Sequence, residues 1–229
     1  VVPYCPRCGT ALSSHEVAQG YKDVKETSAI AKFKVSDQDN TYFLAWTTTP
    51  WTLPSNVILS VNAKETYAKA KYQDYYVIMA EALMDSVLGE GNYEVVERVK
   101  GADLEYVKYE PLFDFQPNGE DFKGYFMTCD DYVTLTDGTG IVHTAYAYGE
   151  DDYRVCKKYG VTFYQNVDTN GHPNAIAGPF EGLFVKDADP VILKYMEENG
   201  SLFAALPFEH NYPFCWRCDT PLLYYARST

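Results

Sequence analysis

The chain has 229 residues, of which 46% are hydrophobic and 22% charged, with a formal net charge of -13 at neutral pH. That size suits one large domain with a substantial core plus a small appendage, and no apolar run is long enough to cross a bilayer as a helix and no signal-peptide pattern is present, so the cytoplasm is the expected compartment. The acidic balance argues against broad binding along a nucleic-acid backbone, which draws its affinity from clustered Lys and Arg.

The N-terminal segment Pro3-Tyr4-Cys5-Pro6-Arg7-Cys8-Gly9-Thr10-Ala11-Leu12 carries a Cys-x-x-Cys turn. Short alternating runs then predict strands over residues 29–35, 41–46, 57–61, 67–72 and 75–79. A helix is expected over 80–88, followed by strands over 93–99 and 125–128. Residues 140–145 read as a strand entered through the turn Asp137-Gly138-Thr139-Gly140. Further helices are expected over 150–159, closed by Gly160, and over 190–198, closed by Asn199-Gly200 with Asp189 as the cap. The stretch 160–179 between them is an irregular connection. The fold class is therefore mainly β with short helices, an α+β chain with a β-barrel-like body. Its 21 tyrosines mostly alternate within strands, where aromatic side chains pack on a pleated face, so they are read as packing rather than as a base-stacking surface.

The C-terminal segment Pro213-Phe214-Cys215-Trp216-Arg217-Cys218-Asp219-Thr220-Pro221-Leu222 repeats the N-terminal one without gaps. Two such turns offer four thiolates, Cys5, Cys8, Cys215 and Cys218, suited to one tetrahedral structural zinc ion with no position left open for catalysis. Disulfides or separate redox pairs are the other reading, disfavoured in a reducing compartment. A shared metal would hold the two chain ends side by side. The expected organisation is a stalk made of residues 1–14 and 211–229 around a body of 15–210. Cys129 and Cys156 read as packed thiols.

In Trp46-Thr47-Thr48-Thr49-Pro50-Trp51-Thr52-Leu53-Pro54-Ser55-Asn56, three consecutive hydroxyls end an apolar strand and Pro50 stops it. Such a cluster suits the positioning of water, or is a plain Thr-rich strand end. Trp51 reads as a pocket wall or a core anchor. A second constellation is His143 at the end of one strand and Asp152 early in the next helix. His143 reads as a hydrogen-bonded structural residue or as a general base. Asp151 and Asp152 diverge on a helix, which disfavours a paired acid/base device, and with Glu150 they also complement the helix dipole.

The threonine segment resembles that of the editing domain which class I isoleucyl-, valyl- and leucyl-tRNA synthetases carry as an insertion, and Thr-Thr-Thr-Pro-Trp-Thr-Leu-Pro favours the isoleucyl branch. The resemblance also takes in Gly138-Thr139-Gly140-Ile141-Val142-His143-Thr144-Ala145, Gly149-Glu150-Asp151-Asp152-Tyr153 and both cysteine motifs, so it spans almost the whole chain. It implies hydrolysis of Val-tRNA(Ile) by direct water attack, with Asp152 anchoring the α-ammonium group and Thr48 and Thr49 as partners of the water and the ester carbonyl. It further implies that Trp46, Thr47, Trp51, Asn56 and His143 line the substrate pocket, His143 as a wall that admits valine and excludes isoleucine. The implied partners are the aminoacylated 3′ end of tRNA(Ile) and the catalytic domain of the parent synthetase, with no cofactor for the hydrolysis and no membrane. Val1 in place of Met, and the lack of His-Ile-Gly-His and Lys-Met-Ser-Lys-Ser motifs, read as an excised fragment.

One departure stands out, because Tyr146 replaces the proline of the family's His-x-Ala-Pro and removes a fixed φ angle from the loop. The alternative reading is a zinc-stapled, non-catalytic RNA- or protein-binding module with a decayed pocket. A Cys156/His143 hydrolase is a third, for which nothing nearby suggests an activated thiolate.

Overall fold

The computed structural model of the chain describes residues 1–227. The N-terminal module comprises β1 (Val2–Cys5), β2 (Thr10–Ala11) and the short helix α1 (Ser14–Ala18), where Ser13 and Glu16 exchange the reciprocal bonds of a capping box. The body follows with β3 (Tyr21–Lys34), β4 (Thr41–Thr47), β5 (Asn56–Val61), β6 (Thr66–Tyr72), β7 (Tyr75–Ala80), α2 (Met84–Leu88) and β8 (Tyr93–Lys100). It continues with β9 (Met127–Cys129), β10 (Val142–Ala145), α3 (Glu150–Tyr159), α4 (Val185–Asn199) and β11 (Leu202–Pro213), and β12 (Leu223–Tyr225) returns to the N-terminal module.

Nine strands form one sheet in the order β8-β6-β7-β4-β10-β5-β9, with β3 beside β4 and β11 beside β3. One edge of β4 runs along β3, while the other is shared between β7, at Thr41–Phe43, and Val142 of β10, at Trp46. This branching sheet curls into a half barrel. Phe33, Phe43, Leu59, Tyr67 and Met127 from the strands form the main core with Ala188, Ile192 and Met196 of α4. A second cluster joins Leu44, Val77 and Met79 to Met84 and Leu88 of α2, and a third joins Ile58 to Val155 and Cys156 of α3. β5 has a core on each face, which is why its apolar run is buried from end to end.

Strand direction decides where a site can form. β4 and β10 are parallel, so both reach the same edge of the sheet at their C-terminal ends. β10 lies between β4 and β5, and Asn56 at the start of β5 pairs with Ala145 at the end of β10. The threonine segment, which links β4 to β5, must therefore cross the end of β10.

β3 and β11 pair from Tyr21↔Pro213 to Ala31↔Leu202 as a long antiparallel ribbon. The sequence predicts only the inner part of β3 and none of β11, because the outer half of the ribbon presents Lys22, Asp23, Lys25 and Glu26 opposite Phe208, Glu209, Asn211 and Tyr212, with no apolar period to read. At the ribbon's end β12-β1-β2 form a small sheet, packed on Cys5, Leu12, Val17, Cys215 and Leu222. Tyr4, Leu223 and Tyr225 of that sheet also join the main core, so the terminal module is docked on the body.

Two helices differ from expectation. The segment 80–88 splits into a 3-10 turn, Glu81–Leu83, and α2. α4 starts at Val185, so Pro190 lies inside it and Asp189 is not its cap, Phe184 occupying that position. The preference of Pro for the first helical turn had placed the start too late.

Candidate functional site

Pro50 has no N–H to extend a ladder, so β4 ends at Thr47 and the chain turns into a 3-10 helix, Pro50–Ser55. Asp189 of α4 accepts the Trp51 N–H at 2.7 Å and so satisfies the start of this turn from another element. The threonines bond to one another: the Thr49 N–H donates to Thr47 Oγ1 at 3.1 Å, and Thr49 Oγ1 lies 3.3 Å from the hydroxyls of both Thr47 and Thr52. Thr47 and Thr52 are buried, whereas Thr48 and Thr49 keep partial exposure.

His143 ties this loop to β10, and the direction of each bond follows from chemistry. The Asn56 amide donates to the Ile58 carbonyl at 3.0 Å, which fixes its NH2 end, and its second hydrogen meets His143 Nδ1 at 2.8 Å. His143 therefore carries its proton on Nε2 and donates to Thr52 Oγ1 at 2.9 Å, and the Thr52 hydroxyl donates to the Thr49 carbonyl at 2.8 Å. Tyr109 completes the chain by donating to Asn56 Oδ1 at 2.5 Å. Burial lowers the imidazole to about 3, so it is neutral, and both ring nitrogens are engaged. That leaves His143 as an anchor of the threonine loop with no free nitrogen for general-base work.

Asp152 reaches the same end of β10. It is the third residue of α3, and a Cβ on Gly149 would lie 2.9 Å from its Cγ, so the carboxylate folds back over the bare glycine. One carboxylate oxygen accepts the Ala145 N–H at 3.0 Å. Burial pushes the carboxyl up to about 7 and the nearby Asp151 adds to the rise, while the Ala145 N–H opposes it. Part of the side-chain surface stays open to solvent while protein surrounds the carboxyl itself. Four residues of β10 thus connect the threonine loop, through His143, to Asp152, through Ala145.

The remaining candidates separate. Trp46 projects to the other face of β4, edge-on to Phe208 at 5.4 Å and against Gly138. Trp51 is buried edge-on to Tyr148 at 5.1 Å, and its indole N–H has no partner among the described residues. Tyr146 turns away from the threonine loop and packs on Tyr153 and Phe163 at 5.4 and 5.0 Å, beside α3. A cleft of about 690 Å³ lies elsewhere, between Glu105, Tyr106, Asp130, Arg154 and Tyr159, and none of the candidate residues lines it. Cys156 is fully buried, which pushes its thiol up, the reverse of an activated thiolate. Sequence reading missed Thr52, Tyr109 and the role of Asp189. Thr52 was within the quoted motif, whereas Tyr109 had no local signal.

At the other end of the ribbon the two cysteine turns superpose in detail. The Gly9 N–H donates to the Cys5 carbonyl at 2.9 Å and the Asp219 N–H to the Cys215 carbonyl at 2.8 Å. Gly9 and Asp219, at matching positions, are both left-handed, with φ of 67° and 60°. The four thiol sulfurs lie within 4.8 Å of one another, with Cys218 3.5 Å from both Cys5 and Cys8. Sulfurs on a tetrahedral metal are separated by roughly 3.8 Å for a metal–sulfur bond of about 2.3 Å, so the donor set fits one ion.

No family model matches the chain. Isoleucine–tRNA ligase of Clostridium novyi is 56% identical over 229 residues, all of this chain and 22% of the relative, and that of Bacillus thuringiensis is 50% identical over 226 residues, again 22% of its length. The chain therefore spans less than a quarter of the curated relatives it matches. Among solved structures, GlLeuRS-CP1 aligns with a TM-score of 0.61 at 16% identity, covering 78% of this chain and 98% of that one. The editing domain of the P. knowlesi cytosolic leucyl-tRNA synthetase aligns with a TM-score of 0.56 at 13% identity, covering 81% and 98%. The chain is thus homologous along its whole length to a segment of isoleucine–tRNA ligases and has the fold of the CP1 editing domains of leucyl-tRNA synthetases.

Proposed function

We propose that this chain is the post-transfer editing domain of an isoleucine–tRNA ligase and hydrolyses the ester of mischarged Val-tRNA(Ile). The observation that carries the reading is the convergence, at the end of β10, of the threonine loop held by His143 and the Asp152 carboxylate held by Ala145. In this reading Asp152 takes the substrate's α-ammonium group in a charge-assisted hydrogen bond and fixes the ester carbonyl relative to the loop. Thr48 and Thr49, the half-buried threonines of the loop, orient a water and the carbonyl oxygen. The water oxygen bonds to the carbonyl carbon, the ester C–O bond breaks, and the ribose oxygen takes up the proton to leave free valine and tRNA. An aminoacyl ester is already activated, so positioning supplies most of what the reaction needs.

A second site is useful because a pocket rejects a substrate one methylene smaller by only about 1 to 3 kcal/mol, a limit for which isoleucine against valine is the standard illustration. Trp51, Asn56, Thr47 and His143 are assigned to shaping the pocket, Trp46 being set aside because it packs on the other face of β4, and the aminoacylated 3′ end of tRNA(Ile) and the parent catalytic domain are the partners. The four-cysteine cluster is assigned one structural zinc ion that closes a stalk of residues 1–14 and 211–229 against the body. A cytoplasmic location follows from the role in translation. Tyr146 was the only support for a decayed pocket, and its side chain faces α3 rather than the threonine loop.

The test is deacylation of Val-tRNA(Ile) and Ile-tRNA(Ile) by the ligase that contains this chain. The valyl ester is expected to be cleaved preferentially, and Asp152→Ala to lose at least about a hundredfold in rate, the scale of losing a fixed substrate orientation. Equal cleavage of both esters, or an unaffected Asp152→Ala enzyme, would remove the assignment.

A further inference from the structure

The first N–H groups of a helical turn are usually satisfied by the side chain of the residue just before it, and the threonine segment departs from that rule. Thr49 holds the N-cap position of the Pro50–Ser55 turn, where a Thr hydroxyl normally accepts the N–H of the second or third residue of the turn. Its hydroxyl makes no such bond, and its backbone, at φ -127° and ψ 75°, lies outside the extended conformation of a self-capping residue. The two N–H groups in question belong to Trp51 and Thr52. Thr52 donates to the Thr49 carbonyl at 3.0 Å, and Trp51, which is buried, donates to Asp189 at 2.7 Å across 138 residues of sequence. Asp189 thus does from α4 what the Thr49 side chain would otherwise do locally.

The consequence falls on the Thr49 hydroxyl. Thr52 Oγ1 gives its proton to the Thr49 carbonyl and receives one from His143, so the 3.3 Å contact between the Thr49 and Thr52 hydroxyls is closed by the Thr49 proton. A hydroxyl oxygen has two lone pairs, and the Thr47 hydroxyl, also at 3.3 Å, can occupy one of them. The other stays open on a side chain that keeps partial exposure. A local cap would consume that lone pair in a bond to the Trp51 N–H.

Asp189 is itself braced. α4 packs on the Pro50–Ser55 turn, and Lys186, one helical turn before Asp189, lies 2.7 Å from Glu26 of β3 and 4.1 Å from the Tyr212 ring centre of β11. The other Glu26 oxygen meets His210 of β11 at 2.6 Å. Burial raises the Asp189 carboxyl, Lys186 and the Trp51 N–H favour its charged form, and Glu26 opposes it. The cap is therefore fixed by two layers of structure, the helix that carries it and the ribbon that grips the helix.

We propose that Asp189 is a positioning residue for Thr49: by capping the Pro50–Ser55 turn from α4 it spares the Thr49 hydroxyl, whose open lone pair accepts a hydrogen of the attacking water. Its use in hydrolysis rests on the reading of Thr49 as a partner of that water, whereas the cap itself does not. Without Asp189 the Trp51 N–H turns to the hydroxyl two residues before it, as in an ordinary cap, and Thr49 is drawn out of the threonine cluster.

The experiment pairs NMR on the 229-residue chain with Val-tRNA(Ile) deacylation by the parent ligase, each as the unmodified protein, Asp189→Ala and Asp189→Asn. Three-bond couplings to the Thr49 methyl read its χ1 rotamer. Asp189→Ala is expected to move that rotamer and to lower kcat about tenfold, the scale of one hydrogen bond at the reacting atoms, with KM unchanged. Asp189→Asn keeps an oxygen for the Trp51 N–H and should recover the rotamer and most of the rate. In a Thr49→Val ligase, Asp189→Ala should cost no further rate, because no hydroxyl is left to divert. A rotamer or a kcat that stays in place in a natively folded Asp189→Ala protein, or losses that add in the double variant, would overturn the proposal. A moved rotamer beside an unmodified ligase that fails to deacylate Val-tRNA(Ile) would uphold the cap and overturn the editing role instead.

Discussion

Above about pH 7 Asp152 carries its charge at a cost to the fold, and the sign of that cost can be worked out. Its carboxyl titrates at about 7 in the folded chain against 3.8 as the ordinary value. Between those limits the unfolded chain has released the proton and the folded chain has kept it, so stability falls as pH rises through this window and stays low above it. Asp189, whose carboxyl burial also pushes up to about 7, acts in the same sense. Asp152→Asn removes the ionisation while leaving an oxygen for the Ala145 N–H. It should therefore stabilise the chain near pH 8 by at least about 1 kcal/mol and gain nothing near pH 4. Thermal melts at the two pH values decide it, and an equal effect at both would mean that Asp152 does not ionise against the fold. A carboxylate kept where it weakens the structure is the pattern expected of a group retained for binding or chemistry. At this scale the sequence was legible in part. Thr47, Thr48, Thr49, His143 and Asp152 could be picked out by residue type and motif, but the direction of the proton chain from Asn56 through His143 to Thr52 depends on the Ile58 carbonyl and on Tyr109, which only the folded backbone brings near.

Among the elements, α3 was legible to the residue because all its signals are local: acidic residues in the first turn, an apolar face and a left-handed Gly160 at its end. α4 and β11 were not. Pro190 masked the first turn of α4, and β11 is held by its ladder to β3 rather than by an apolar face of its own. The cost of misplacing α4 was the meaning of Asp189, which secures the 3-10 turn after the threonines instead of its own helix. The entry to α3 also explains a glycine. Gly149 is extended, with φ of -152°, so any residue could adopt its backbone, yet a Cβ would press on the end of the flexible Asp152 side chain. Gly149→Ala should consequently change stability by less than about 1 kcal/mol, because a carboxylate can swing aside, while moving the anchor off its contact with Ala145. A misplacement on the order of 1 Å is worth about a hundredfold in rate. Parallel measurement of melting and of Val-tRNA(Ile) deacylation separates the two effects, and a variant that loses stability but keeps its rate would show that the glycine serves the helix and not the carboxylate.

For the molecule as a whole, the two chain ends meet through matched turns whose hydrogen bonds coincide pair by pair: the Leu12 N–H donates to the Pro3 carbonyl at 2.9 Å and the Leu222 N–H to the Pro213 carbonyl at 3.1 Å. The doubled motif made this legible in the sequence, since it repeats residue by residue, but the docking of the module was not, because Tyr4, Leu223 and Tyr225 carry no motif. Among the described residues the apolar core under the cysteines comprises Cys5, Leu12, Val17, Cys215 and Leu222, with part of Cys8 and Cys218, so little burial that the proposed zinc ion would supply much of what holds the module together. The half barrel, by contrast, is supported by three separate clusters. Chelation should therefore release about one zinc ion per chain and accelerate amide exchange in β1, β2 and α1. The loosening should reach the stacked rings of Tyr4 and Tyr225, 5.5 Å apart, where the small sheet meets the main core. Amides of β4, β5 and β7, buried by clusters that contain no cysteine ligand, should keep their protection, so that the module frays while the threonine loop stays anchored. Hydrogen-exchange mass spectrometry before and after chelation resolves these segments. Uniform acceleration along the chain would mean instead that the metal holds the half barrel together, and the ribbon would then be a structural brace for the site rather than a tether that carries it.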